Sequence, residues 1–370
     1  MHWLLIILVF PYLFLFLKIY KNLRKIKVYS ATTNSGIFVS VVIACLNEQE
    51  NLLRLLSRIA LQDYPKSLFE VIVVDDNSTD RSYEIATSFK GIGNIIVTSN
   101  DGIGKKQAIR TGVIASTGRL IITTDADCRM KPAWISTIAS FYENYKPDMI
   151  VCPVQIEPRS GFFGRFQELE FLSLQGVTAG SVLSKNGTMC NGANLSFTKE
   201  AYLNNVDNLH FEIASGDDIF LLHCIKKRLN SKILWIESPD AMITTVSSPN
   251  VLSFLEQRAR WISKGNIYQD RYTILIAIVT FVTIILQVSV LLAGFINPVF
   301  ILVFLTIFIL KSVPDFLILF NTSGRYMKRY LMNWFLPVQI FYPFYVLCVG
   351  CYSLIHPKVW KVNSPSPKET

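Results

Sequence analysis

Four long apolar runs, one at the start of the chain and three near its end, constrain the fold of this 370-residue chain more than any other feature. They cover residues 2–17, 273–293, 299–320 and 330–355. A helix of roughly 20 apolar residues crosses a bilayer core, so we predict about four membrane spans. Lys311, Pro314 and Asp315 interrupt the third run, which predicts a kink or packing against protein. Lysines after the fourth run leave a re-entrant or interfacial segment open there.

Basic residues follow the first apolar run instead of preceding it, at Lys18, Lys21, Arg24, Lys25 and Lys27. A signal peptide carries its positive charge before the apolar segment. Positive flanks face the cytosol, so we predict an uncleaved anchor with its N-terminus outside, and a cleaved signal is the minority alternative. The predicted organisation is an anchor at 1–18, a cytosolic domain at 36–265, a membrane region at 273–355 and a tail at 356–370.

The composition agrees with a membrane protein and excludes several other classes. Hydrophobic residues make up 51% of the chain and its net charge is +9. Much of that charge lies beside the apolar runs, which suits anionic lipids as partners and argues against nucleic acid. The seven cysteines are scattered, without a C-x-x-C pair, so we expect reduced structural thiols and neither a disulfide framework nor a zinc site.

Short β-branched runs alternate with helical patterns through the middle of the chain. The predicted strands are 39–44, 71–74, 94–98 and 120–124, and the intervening helices include 50–60 and 105–115. Runs of this kind are typical of parallel strands buried on both faces. The alternation predicts an α/β fold with an open, doubly wound sheet, which binds ligands at the carboxyl ends of its strands.

Acidic residues stand where two of these strands end. Asp125 and Asp127 follow the fourth strand, and two carboxylates on one turn can hold a Mg²⁺ or Mn²⁺ ion against a diphosphate. Asp75 and Asp76 end the second strand, where a carboxylate can accept hydrogen bonds from a base or ribose. A plain acidic turn and a helix cap are the respective alternatives.

Three further segments combine charge with a defined local context. Lys105 follows a Gly-Ile-Gly segment at a predicted helix start, which suits a phosphate or a solvated basic face. Asp218 begins another helix, as a cap or as a general base. The segment 257–261, Gln-Arg-Ala-Arg-Trp, precedes the second apolar run, as an interfacial anchor or as a clamp on a pyrophosphate.

The order of these motifs resembles that of the family 2 glycosyltransferases with a GT-A fold. The resemblance is to their membrane-integrated branch, which includes cellulose, chitin, hyaluronan and poly-N-acetylglucosamine synthases and ceramide glucosyltransferase. It covers about residues 39–265 and the flanking spans. It implies a Rossmann-like open twisted sheet with transmembrane helices at both ends.

The resemblance also implies roles for the residues on the donor side. It implies that Asn47 and Glu48 border the nucleotide, and that Asp75 or Asp76 contacts the base or ribose. It places Lys105 near the diphosphate. In the same way Asp125 is expected to touch the nucleotide, with Asp127 as the metal ligand.

The remaining roles concern the sugar and the acceptor. The resemblance implies that Asn191 and Gly192 line the donor-sugar pocket and that Asp218 is the catalytic base. Gln257, Arg260 and Trp261 are expected to close over the diphosphate and frame the acceptor. The segment Gly216-Asp217-Asp218 departs from the family's common Thr-Glu-Asp, although the base itself is retained.

These expectations lead to an inverting hexosyl transfer from a nucleotide-sugar, with a UDP-sugar favoured, to a hydroxyl of a lipid or lipid-linked acceptor. The site is expected on the cytosolic face of a bacterial inner membrane. A processive polysaccharide synthase is the alternative, and four spans would then require a membrane partner subunit for export. A non-catalytic scaffold is the third possibility.

Segments at about 160–180 and 250–265 are predicted as amphipathic interface helices, with core packing as the alternative for the first.

Overall fold

The computed structural model describes residues 2–31, 35–213 and 215–355. The predicted tail at 356–370 lies outside them. The chain divides into two compact units. The sheet unit contains the described residues of 27–155 and 189–246, and the helical unit contains those of 2–26, 156–188 and 247–355.

Strands and helices alternate through the middle of the chain, and long helices dominate its ends. The strands are β1 Val39–Cys45, β2 Phe69–Asp75, β3 Ile95–Ser99, β4 Leu120–Thr123, β5 Arg129–Met130, β6 Met149–Val151, β7 Val154–Ile156, β8 Leu195–Thr198, β9 Ile233–Trp235 and β10 Ile243–Thr245. The α-helices are α1 Phe10–Leu23, α2 Leu52–Ala60, α3 Ser82–Ser88, α4 Lys105–Ala115, α5 Trp134–Tyr145, α6 Gly161–Leu183, α7 Lys199–Leu203, α8 Asp217–Lys227, α9 Val251–Ile262, α10 Arg271–Gly294, α11 Val299–Arg325 and α12 Phe335–Ile355.

A seven-stranded sheet with the order β3-β2-β1-β4-β8-β6-β9 forms the centre of the sheet unit. The four strands predicted from the sequence are its parallel half, because β1 pairs in parallel with β2 and β4, and β2 with β3. Every residue of β2 and β4 is buried, as their continuous β-branched sequences predict. The ends of β1, β2 and β4 therefore meet at one edge of the sheet.

Strand β8 runs antiparallel to β4, with Leu195 opposite Thr123. Because of this direction, the residues that precede β8 lie at the same edge where β4 ends. A second, three-stranded sheet with the order β5-β10-β7 completes the strands of the unit. Its β10 pairs with β5, the short strand that follows the Asp125–Asp127 turn.

Helix α4 packs closely on β1 and β2 through Gly112. A Cβ atom at this position would lie 2.4 Å from Cγ1 of Val42 and 3.1 Å from Cγ2 of Val74. Both valines are fully buried and belong to the sheet, so neither can move aside at low cost. The absence of a side chain at Gly112 thus sets how closely α4, which begins at Lys105, approaches the sheet.

The helical unit contains four helices long and apolar enough to cross a membrane: Trp3–Leu23, Arg271–Gly294, Val299–Arg325 and Arg329–Ile355. They agree with the predicted four spans, and the chain is a membrane protein. Helix α11 continues through Pro314. Next to it Lys311 pairs with Asp315 at 2.7 Å, and Gln339 and Tyr12 complete a hydrogen-bonded network inside the unit.

Helix α6 differs from the amphipathic interface helix expected at about 160–180. Of its 23 residues 16 are buried, including every position from Phe166 to Leu172, so no polar face remains over two full turns. The helix packs against α1 and α11. This favours core packing, which the sequence had left open because Glu168 and Glu170 interrupt the apolar pattern.

The division into units also differs from the predicted domain at 36–265. Residues 156–188 and those from 247 onward group with the apolar helices. Helix α9 buries Phe254, Arg258 and Ala259 and leaves Val251, Leu252 and Ile262 exposed. The interface segment expected at 250–265 stays a prediction.

We predict that Gly112→Val lowers the free energy of unfolding by about 2–3 kcal/mol, because the added side chain overpacks a buried contact. Chemical denaturation of the purified protein in detergent measures the change. Gly93→Val is the matched control, since Gly93 is exposed with open space around its Cβ position, and it should change stability by less than about 0.5 kcal/mol. Equal effects of both substitutions would contradict the close packing of α4.

Candidate active site

The predicted site residues of the sheet unit gather at the edge where β1, β2 and β4 end. Asn47 and Glu48 follow β1, and Asp75 is the last residue of β2. Lys105 begins α4, and the Asp125–Asp127 turn follows β4. This is the edge at which open α/β sheets bind ligands.

An ion pair joins two of these residues. The Lys105 ammonium donates to Oδ1 of Asp125 at 2.5 Å, and both side chains are partly exposed. Burial lowers the pKa of Lys105, but Asp125 and Asp217 raise it by more, so that the net shift is upward. The lysine therefore stays charged and offsets part of the negative charge at this edge.

Asp127 lies on the same turn and has weaker partners. Its Oδ2 accepts a hydrogen bond from the Thr245 hydroxyl at 2.9 Å, and its Oδ1 accepts a long one from the Cys128 thiol at 3.6 Å. Thr245 ends β10, whose pairing with β5 brings it beside the turn. The carboxylate is thus oriented by neutral donors, and no ion pair is recorded for it among the described residues.

Negative charge accumulates around Glu48. Burial raises the pKa of its carboxyl, and the nearby charges of Asp127 and Asp125 raise it further, against the lowering effect of a hydrogen bond from Asn51. Glu48 therefore lies close enough to Asp125 and Asp127 for their negative charges to act on it. Such a concentration of negative charge attracts a cation.

The oxygen ligands at this edge fit a hard divalent cation. Among the described residues, no group of three or more His, Cys, Asp or Glu side chains is arranged to hold a metal. Mg²⁺ is commonly held by one or two protein carboxylates, with substrate phosphates and water completing the shell. Asp127 and Asp125 match that requirement, and both carboxylates add to the effect of burial in raising the pKa of Glu48.

The structure separates Asp75 from Asp76, which the sequence left as alternatives. Both oxygens of Asp76 accept from the Gly104 amide at 2.9 Å, and Oδ1 also accepts from Asn100 at 2.6 Å. Asp76 therefore fixes Gly104, whose φ of 94° suits glycine, directly before Lys105. In contrast, Oδ1 of Asp75 is buried without a hydrogen-bond partner among the described residues.

Asp218 lies at the start of α8 and is held from two sides. Its Oδ2 accepts from the Gly192 amide at 3.0 Å and its Oδ1 from the Ile219 amide at 2.7 Å. The Gly192 carbonyl accepts from the Thr123 hydroxyl at 2.7 Å. This chain of hydrogen bonds connects the end of β4 to Asp218. The N-cap of α8 is Gly216, and no side chain caps this helix end, so Asp218 does not form the cap that the sequence allowed.

The segment 191–194 before β8 is built around one buried amide. Asn194 is fully buried and bonds with the Trp134 indole at 3.0 Å and with two main-chain carbonyls. Asn191 accepts from the Ala193 amide at 3.0 Å. The segment is therefore rigid, and it presents Gly192 to Asp218.

Three residues of this edge had no site role predicted from the sequence. Thr245 orients Asp127, and Asp217 contributes to the raised pKa of Lys105. Lys106 is buried and donates to the carbonyls of Leu209 and His210 at 2.8 Å. Asp217 and Lys106 stand directly beside Asp218 and Lys105 in the sequence, but nothing in the sequence around Thr245 marks it.

The other predicted residues, Gln257, Arg260 and Trp261, lie on α9 in the helical unit. All three are partly exposed. Their expected role over the diphosphate stays a prediction.

Residues 40–204 match the family model described as Glycosyl transferase family 2. The chain carries a family 2 glycosyltransferase domain. The matched residues include β1 to β4, both carboxylates of the Asp125–Asp127 turn and Gly192.

Curated relatives match this family 2 domain over part of their length. Glycosyltransferase AglE of Haloferax volcanii is 35% identical over 115 residues, which are 30% of this chain and 38% of that protein. The undecaprenyl-phosphate 4-deoxy-4-formamido-L-arabinose transferase of Edwardsiella ictaluri is 42% identical over 99 residues, 26% of this chain and 30% of that protein. The matches thus span about a third of each relative's length.

A solved structure matches nearly the whole chain. The mannosyltransferase PcManGT from Pyrobaculum calidifontis, in complex with GDP-Man and Mn²⁺, has a TM-score of 0.56 and covers 96% of this chain and 99% of its own. Because the two sequences are only 16% identical, this likeness supports the fold alone. The predicted GT-A fold of the family 2 domain, with apolar helices at both ends of the chain, is confirmed.

We predict that Glu48→Gln raises Tm at about pH 7.5 without divalent cations, and has a smaller effect at about pH 4. A carboxyl whose pKa is raised on folding favours the folded state below its unfolded pKa. That contribution is lost as the pH rises through the folded-state pKa. Glutamine mimics the protonated form, so its advantage appears above that range.

Thermal unfolding at the two pH values measures this effect. Glu84→Gln is the control, because a hydrogen bond and ion pair with Arg81 lower the pKa of Glu84. It should leave Tm unchanged or slightly lower at neutral pH. A lower Tm of Glu48→Gln at neutral pH would show that Asp125 and Asp127 do not act on Glu48 as described.

Proposed function

We propose that this protein is an inverting glycosyltransferase that moves a sugar from a nucleotide-sugar to a lipid or lipid-linked acceptor at the cytosolic membrane face. The observation that carries the proposal is the arrangement at the sheet edge. There Lys105 pairs with Asp125 beside Asp127, and Asp218 is tied to the same edge through Gly192. The family 2 match over 40–204 supports the reaction class.

In this proposal the nucleotide-sugar donor is held by three kinds of group: a free carboxylate oxygen, a pair of carboxylates and an ammonium. The buried, unpartnered oxygen of Asp75 accepts a hydrogen bond from the base or ribose. Asp127 and Asp125 would hold a Mg²⁺ or Mn²⁺ ion, which would supply positive charge against the diphosphate. Lys105 lies where its ammonium can transfer from Asp125 to a phosphate oxygen.

The transfer is a direct displacement. The acceptor oxygen attacks the anomeric carbon on the face opposite the diphosphate, the bond to the diphosphate breaks with its electron pair, and the configuration inverts. Asp218 accepts the proton of the acceptor hydroxyl. The Gly192 and Ile219 amides fix its carboxylate and leave lone pairs for that proton. For Gln257, Arg260 and Trp261, which lie on α9 of the helical unit, we keep the acceptor-side role that the family resemblance implies.

A membrane-embedded acceptor fits the rest of the chain. Four candidate spans accompany the catalytic domain, and the Edwardsiella relative is named for transfer to undecaprenyl-phosphate. The positive residues after the first span support an N-terminus outside and a cytosolic domain. The membrane that we propose is a bacterial inner membrane. A processive polysaccharide synthase is the second candidate, favoured by the Gln-Arg-x-Arg-Trp pattern of residues 257–261.

We predict that Asp218→Asn lowers transfer by about 100- to 10,000-fold, the range that a general base contributes. Membranes containing the protein are incubated with a panel of radiolabelled UDP- and GDP-sugars, and label is counted in chloroform-soluble and insoluble polymer fractions. Binding of the donor should persist, because the asparagine side chain of this variant keeps an oxygen that can accept from the Gly192 amide.

The control for this variant is Asp63→Asn, an exposed carboxylate of the same unit, which should keep wild-type transfer. Label in the chloroform phase supports the lipid acceptor, and label in insoluble polymer supports the second candidate. Equal transfer by the Asp218→Asn and wild-type proteins would show that Asp218 is not the base.

We further predict that Asp127→Asn raises the Mn²⁺ concentration needed for half-maximal transfer at least tenfold, because one of two carboxylate ligands is lost. Electron paramagnetic resonance of Mn²⁺ with nucleoside diphosphate present gives an activity-independent measure of binding. Asp240→Asn, which removes an exposed partner of Lys131, is the control. Unchanged Mn²⁺ binding in Asp127→Asn would place the ion elsewhere.

A further inference from the structure

Arg258 forms a buried, two-pronged ion pair with Glu170 inside the helical unit. Its Nε lies 2.8 Å from Oε1 and its Nη2 lies 2.6 Å from Oε2 of the carboxylate. Both side chains are only 6% exposed. This geometry requires the planar guanidinium fork of arginine, which a lysine cannot reproduce.

The same guanidinium contacts two of the three predicted motif residues of α9. It lies 4.2 Å from the ring centroid of Trp261 and 4.4 Å from that of Phe254. Its Nη1 donates to the side-chain oxygen of Gln257. Arg258 therefore touches Gln257 and Trp261 directly, within the same Gln-Arg-Ala-Arg-Trp segment.

A transmembrane helix joins this cluster. The Tyr345 hydroxyl on α12 donates to Oε1 of Glu170 at 3.1 Å. Its ring stacks on Phe254 with centroids 5.5 Å apart. The cluster thus connects α6, α9 and α12, and each hydrogen bond of the Glu170 carboxylate fixes the arginine that contacts the motif.

We propose that Arg258, held by Glu170 and Tyr345, is a positioning residue that sets the orientation of Trp261 and Gln257 for glycosyl transfer. This inference rests on the proposed function, because it explains what holds Gln257 and Trp261 in the orientation that glycosyl transfer needs. A small displacement of positioning groups costs a large factor in rate. The buried ion pair is retained for orientation, because a buried pair contributes little stability over apolar residues of similar volume.

A second ion pair on α6 provides a matched comparison. Glu168 is as buried as Glu170 and binds Lys328 at 2.9 Å and Arg165 at 2.9 Å. The Tyr330 hydroxyl also reaches it at 3.3 Å. The recorded partners of Glu168 include none of the motif residues, so its loss should perturb the unit without disturbing Trp261.

The test separates positioning from stability with the full-length protein in membranes. Arg258→Lys and Glu170→Gln should each lower kcat about 10- to 100-fold. Glu168→Gln is the control, and its kcat is compared with theirs under conditions where it loses a similar amount of Tm. It should change kcat by less than about threefold. The double variant Arg258→Met with Glu170→Met leaves no buried charge unpaired, so Tm should recover towards the wild-type value. Its kcat should stay low.

Trp261 provides a readout that does not depend on transfer. The emission of each protein minus that of its Trp261→Phe counterpart isolates this indole. We expect the difference spectrum to change in the double variant, where the guanidinium no longer covers the ring, and to be unchanged in Glu168→Gln.

Recovery of kcat together with Tm in the double variant would overturn the inference, because Arg258 would then be only structural. An unchanged Trp261 difference spectrum in that variant would overturn it as well. If the wild-type protein transfers no sugar from any donor, the proposed function fails. The Trp261 spectra still decide whether Arg258 orients the motif.

Discussion

The collection of carboxylates at one edge of the sheet is the constraint on which the site depends. Parallel strands bring Asp75 and the Asp125–Asp127 turn to the same edge. Burial, together with the charges of Asp127 and Asp125, raises the pKa of Glu48 there. Such a cluster is tolerated when cations offset it. Lys105 is the resident cation, and its place depends on a helix that packs against the sheet without a side chain at Gly112.

The parallel half of the sheet was predictable because its signals are local. Val71 to Val74 form a continuous β-branched run that is fully buried in β2, as expected for a strand covered on both faces. Helix α4 begins at Lys105 as predicted, because glycine at position 104 supplies the left-handed backbone before it. The position of Asp125 and Asp127 followed from the same strand pattern.

The remaining features depend on contacts between distant parts of the chain. Thr245 bonds with Asp127 across 118 positions, and Arg258 with Glu170 across 88. Glutamates on α6 suggested a solvated face, but each is neutralised by a cation brought from far along the chain. Local sequence also gave no means to tell Asp75 from Asp76, since only the folded loop brings the Gly104 amide to Asp76.

The measurement that tests the central claim most directly is the anomalous scattering of Mn²⁺ in crystals of the protein with a nucleoside diphosphate. The account predicts an anomalous peak in direct coordination with Asp127, with Lys105 released from Asp125 towards the diphosphate. A peak away from the Asp125–Asp127 turn, or a bound diphosphate with the Lys105–Asp125 pair intact and no metal, would contradict it.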